Sequence, residues 1–77
     1  MTTPTQAKIL AAERIEIGKK LLASAKQRDK RLTELAINSE RDGYIEGVWM
    51  AMATRAENKR FMERLENYLA KLSEVTK

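Results

Sequence analysis

"INSERDGY", Ile37–Tyr44, decides how the rest of the chain is arranged. Asn38 and Ser39 carry side chains that compete with a helix for backbone hydrogen bonds, and Asp42-Gly43 is a turn dipeptide. Ser39 also has Asp42 three residues on, the spacing of a helix-opening cap. These features predict a reversal at residues 38–43. Two arms of roughly 30–35 residues, or about 45–50 Å of helix each, then lie antiparallel across a short turn.

Both arms read as helical. Ala, Leu, Glu, Lys and Arg dominate, and the 77 residues contain only three glycines and one proline, so breaks are few. Thr3-Pro4-Thr5-Gln6 reads as an N-cap, a proline at the first helical position and a capping-box glutamine. A competing division breaks the first arm within "KQRDKR" (26–31) and gives three helices. Lys, Gln and Arg are good helix formers, so the uninterrupted arm is preferred. The expected organisation is one domain over residues 1–77, with helices at about 4–37 and 44–74.

The apolar stripe of the first helix runs through Ala11, Ile15, Gly18, Leu22, Ala25, Leu32 and Ala36, with Asp29 interrupting it. Ala11, Gly18 and Ala25 recur every seven residues. Small side chains at one heptad position let a neighbouring helix approach closely. The second helix carries Ile45, Val48, Trp49, Met52, Ala56, Met62, Leu65, Leu69 and Leu72 at helical spacing. Gly43, Gly47 and Ala51 read as a small-residue face just after the turn. "VWM" (48–50) has two readings. In one, Met50 and Met52 fill gaps beside Trp49 in the core, as methionine often does. In the other, Trp49 and Met50 form an adaptable anchor for a partner.

Phe61, Tyr68 and Val75 make a second ridge a heptad apart, and Ile9, Leu10, Ile17 and Leu21 flank the stripe of the first helix. Those faces are wider than one neighbouring helix covers. A chain this short also buries little core and has no cysteine or histidine to staple it with a disulfide or zinc. The expected fold class is therefore all-α, a helical hairpin that dimerises into a coiled-coil-like four-helix bundle. Trp49, Met50, Met52, Phe61, Leu65, Tyr68 and Leu72 are the expected contacts with a partner or a second copy.

Charge concentrates at mid-length. Residues 19–31 carry six basic side chains against Asp29 alone, and residues 54–64 carry four against Glu57 and Glu63, in a chain of net charge +4. A reversal near residue 40 sets these segments side by side as a basic girdle. Lys26, Arg28, Lys30, Arg31, Arg55, Lys59 and Arg60 are its candidate contacts with an acidic protein surface or with nucleic acid. The plainer reading is a solvated helix surface with local pairs such as Glu16–Lys20, Lys30–Glu34 and Lys59–Glu63. No helix-turn-helix, zinc finger or stacking platform accompanies the basic residues.

Catalysis is not expected. Without histidine or cysteine, acid–base and nucleophilic work would fall to scattered carboxylates, serines and lysines, and "GYIEG" lacks the spacing and the lysine of a phosphate loop. No cofactor or metal is implied. The opening "MTTPTQ" lacks a basic region followed by an apolar run, so a secretory signal is not read there. The nearly apolar stretch Gly43–Ala53 falls short of the roughly 20 residues of a membrane span. The functional expectation is a cytoplasmic adaptor, inhibitor or regulator of another protein, of the kind made by bacteria, phages or plasmids. A nucleic-acid-binding regulator is the alternative.

Overall fold

The computed structural model describes residues 3–75. It consists of α1 (Pro4–Arg41) and α2 (Ile45–Val75), packed as an antiparallel hairpin measuring 58 × 19 × 15 Å. At 1.5 Å per residue the longer helix alone accounts for the length. No break occurs at residues 26–31. Thr3 opens α1 as read from sequence: its Oγ1 accepts from the Gln6 backbone N–H at 3.1 Å, and Gln6 Oε1 accepts from Thr3 N–H at 3.1 Å. Two of the otherwise orphaned amide donors are thereby satisfied.

The turn is later and tighter than expected. Asn38 and Ser39 stay helical, and Asp42 caps α1. The Gly43 N–H then bonds Glu40 O at 3.1 Å, and the Tyr44 N–H bonds Ser39 O at 2.8 Å. This is a Schellman termination, which needs a left-handed residue, and Gly43 supplies it at φ 75°. Ser39 does not stop the helix because it faces α2, where it is buried beside Gly47. Burial against a neighbour outweighs its weak local preference for a turn.

The two helices meet along positions spaced mainly three and four residues apart. On α1 the least exposed positions are 11, 15, 18, 22, 25, 29, 32, 33, 36 and 39; on α2 they are 47, 48, 51, 55, 58, 62, 65, 69 and 72. Small residues dominate the centre of this seam: Ala11, Gly18, Ala25, Gly47 and Ala51 are all buried. Leu69 rests directly on Gly18, where an added Cβ would lie 2.5 Å from Leu69 Cδ2. Ala25 is 1% exposed, against Asn58 at 4%.

Several expectations are corrected here. Asp29 does not interrupt the stripe but belongs to the seam, where its Oδ1 accepts from Arg55 Nε at 2.9 Å. Asn58 Nδ2 donates to Ala25 O at 2.7 Å, and Arg28 Nη1 donates to Asn58 Oδ1 at 3.3 Å. The middle of the seam is thus a polar layer, each of its buried polar atoms partnered. On α2 the true stripe passes through Gly47, Ala51, Arg55 and Asn58. Ile45, Trp49, Met52 and Ala56, assigned to it by hydrophobicity, are exposed instead. Geometry chose size over greasiness: a narrow gap admits glycine and alanine and excludes indole. The local ion pair also differs, with Glu16 reaching Lys19 at 3.9 Å instead of Lys20. Neither Lys30–Glu34 nor Lys59–Glu63 is paired among the described residues.

Two substitutions test these features by urea unfolding at fixed chain concentration. Gly43→Ala meets no neighbour within 4 Å, so its cost is conformational alone, about 1–2 kcal/mol, and Gly43→Asn should cost less. Asp29→Ala and Arg55→Ala should each cost about 0.5–1 kcal/mol, because the pair is only partly exposed to solvent. The double variant should cost clearly less than their sum, as it does for residues that interact directly.

Candidate protein-interaction faces

The seam divides the hairpin surface into two sides. One side is fixed by a shallow depression lined by Arg28 from α1 and by Thr54, Glu57, Asn58, Phe61 and Arg64 from α2. Seven-residue steps from these positions trace what else lies there. From Phe61 they lead to Tyr68 and Val75, from Arg28 to Leu21 and Leu35, and from Glu57 to Met50. Ile17, one turn before Leu21, and Leu10 complete the row, and all of these apolar residues are exposed. We call this the Phe61 side.

Across the seam lies the Trp49 side. Ile45, Met52 and Lys59 follow one another at seven-residue intervals on α2, with Trp49 one turn from Ile45. Ile37 stands opposite them on α1, near the turn. Trp49 is 73% exposed, the most of any large hydrophobic residue described. Lys26 faces Lys59 across the middle of this side, and Lys30 lies between Lys26 and Ile37. The Trp49 side therefore offers an apolar cluster at the turn end and a lysine cluster beside it.

The expected contact residues separate accordingly. Leu72 is buried and Leu65 half-buried in the seam, so both hold the hairpin together. Phe61 and Tyr68 stand on one side of the molecule, Trp49 and Met52 on the other. Met50 points to the Phe61 side, and the pair Trp49–Met50 does not form a single anchor. Neither the two methionines nor Trp49 fills a core.

The girdle exists, because residues 25–29 lie against residues 55–58. Its members point in different directions around the hairpin. Arg55 is held by Asp29 and Arg28 by Asn58, and Arg31 and Arg60 fall away from the Lys26, Lys30 and Lys59 cluster. A rigid duplex touches one side at a time and would engage about three of these cations, which sets a shallow salt dependence. Charge in the seam was readable only from the heptad positions of Asp29 and Arg55, since neither helix's hydropathy reveals it.

Fold and surface together define a class: a two-helix module with small residues along its seam and many of its large apolar side chains presented outward. No protein-family model, curated protein or solved structure matches this chain. No helix among the described residues is long and apolar enough to cross a membrane.

Trp49 gives a direct optical check. The free protein should show the red-shifted emission of a hydrated indole, quenched efficiently by acrylamide. A blue-shifted, quencher-protected signal would place the ring in a core.

Proposed function

We propose that the protein is a non-catalytic adaptor or inhibitor that docks on another protein through the turn end of its Trp49 side. The observation that carries this reading is the exposure of Trp49 together with Ile45 and Met52, which follow one another at helical spacing on α2, and with Ile37 near the turn on α1. Aromatic anchors dominate binding energy when a partner pocket desolvates them, and an exposed apolar cluster of this kind marks an interaction surface. The fitting partner surface has an apolar pocket for the indole and a carboxylate-rich rim facing Lys26, Lys30 and Lys59. A cytoplasmic location belongs to this reading, as does the absence of a reaction. Among the described residues, the depression beside Phe61 is open to solvent.

The test is affinity capture from the source cell with wild type and with Trp49→Ala, each with and without nuclease. The substitution lies on the exposed surface and should change stability by less than about 0.5 kcal/mol. A protein retained by wild type after nuclease, and lost from Trp49→Ala at unchanged helicity, supports the adaptor reading. Capture that vanishes with nuclease and with Lys26→Ala/Lys30→Ala/Lys59→Ala, while Trp49→Ala has no effect, overturns it in favour of nucleic-acid binding. Arg28 and Arg55 are poor probes of that alternative, because replacing either disturbs the polar layer.

A further inference from the structure

We infer that the Phe61 side is covered by a second copy of this chain lying parallel to the first, with both turns at one end and the two-fold axis running along the hairpins. This concerns the side away from Trp49 and stands or falls separately from the adaptor reading.

The need for a covering layer comes from area. The hairpin exposes 6315 Å², whereas a compact monomer of 8.8 kDa exposes about 4,800 Å². The excess, about 1,500 Å², is larger than the roughly 800 Å² that each partner contributes to a stable standard interface. Among the described residues no large side chain is fully buried within one chain. A second hairpin on this side supplies the missing layer of a four-helix bundle.

The banding of that side identifies the layer as a copy of the chain itself. Leu69 on Gly18, Ser39 beside Gly47 and the Arg28–Asn58 hydrogen bond fix the register of the two helices. In that register residues of like character stand within about a turn of one another across the side. Leu10 lies near Val75 at the open end, Ile17 and Leu21 lie near Tyr68, and Leu35 lies near Met50 towards the turn; all are exposed. Between these apolar bands runs a charged one, where Glu57 stands near the level of Arg28 and Arg31.

A two-fold rotation along the hairpin exchanges α1 with α2 and keeps every level. It lays each apolar band on the same band of the other copy. It also sets Glu57 of each chain by Arg28 and Arg31 of the other, so opposite charges meet twice. Phe61, at the edge of the central depression, then faces the level of Ser24, whose small side chain leaves room for the ring. Arg14 and Lys71 share a level near the open end, and their long stems let both charged heads reach solvent.

The other pairings meet like charges or mismatched bands. With the turns at opposite ends each helix stacks on its own copy, and an axis at Phe61 sets Leu21 against Arg28 and Ile17 against Arg31. On the Trp49 side the parallel rotation brings together the Lys26, Lys30 and Lys59 clusters of both chains. The interface on the Phe61 side is isologous and closes at two chains. It leaves both Trp49 clusters uncovered, on opposite outer surfaces but at the same end of the bundle. The assembly is therefore bivalent at that end.

Wild type should sediment at twice the chain mass at micromolar concentration. The chain has no cysteine of its own, so single placed thiols report cleanly. When Leu35→Cys chains are mixed with mass-tagged Met50→Cys chains and oxidised, a bridged mixed dimer should form. Met50→Cys mixed with Lys71→Cys should give none, because those positions lie far apart along α2. Leu35→Glu and Glu57→Arg should each weaken association at least tenfold, with helicity retained at high concentration. Ile9→Glu should leave association unchanged, since Ile9 is exposed and lies at seven-residue steps from Ile37 on the Trp49 side. A folded wild-type monomer at micromolar concentration overturns the inference. So does preferential bridging of Met50→Cys to Lys71→Cys, which reports turns at opposite ends. Dissociation by Ile9→Glu but not by Leu35→Glu also overturns it, by moving the interface to the other side.

Discussion

Close approach of the two helices is the constraint from which the rest follows. Ala11, Gly18, Ala25, Gly47 and Ala51 take up little of the space between the helices and leave room for side chains of the facing helix, as Leu69 shows over Gly18. Such a seam gains dispersion contacts over its whole length but removes little apolar area per residue from water. The core is correspondingly thin: among the described residues the buried hydrophobic ones are three alanines and Leu72. Large side chains are left for the outside because the inside has no room for them.

The seam also carries the polar layer. Asp29 and Arg55 form an ion pair at the edge of the seam, with both side chains still partly in solvent. Asn58 crosses the same gap and donates to a helix carbonyl. Both interactions are directional, so they hold only when residue 25 stands opposite residue 58. They specify register in the way that polar residues at heptad positions do in coiled coils. The Schellman turn at Gly43 enforces the same register from the end, and the two devices agree.

Much of this was legible in the sequence, and what was missed has a common physical origin. The capping box at Thr3, the uninterrupted first arm, the reversal before Tyr44 and the heptad of Ala11, Gly18 and Ala25 were all readable, because each rests on local chemistry or period. The boundaries erred by a turn, since Ser39 has a capping side chain but is buried beside Gly47. Hydrophobicity alone misplaces the inner face of α2, because it ranks Trp49 and Met52 above Arg55 and Asn58, which occupy the seam. A heptad that continues through a polar residue carries more information than the polarity itself. The side-to-side split of Trp49 from Phe61 depends on register and so was not accessible before the pairing of the helices was known.

All of this rests on one chain folding back on itself with Leu69 against Gly18. Nuclear Overhauser spectroscopy on a sample mixed from differently isotope-labelled chains measures that contact and shows whether it is made within a chain. The account predicts an intrachain cross-peak between the Leu69 methyls and the Gly18 α-protons. A cross-peak that appears only between differently labelled chains, or none at all, would contradict it, because the helices would then be exchanged between copies or not packed along this seam.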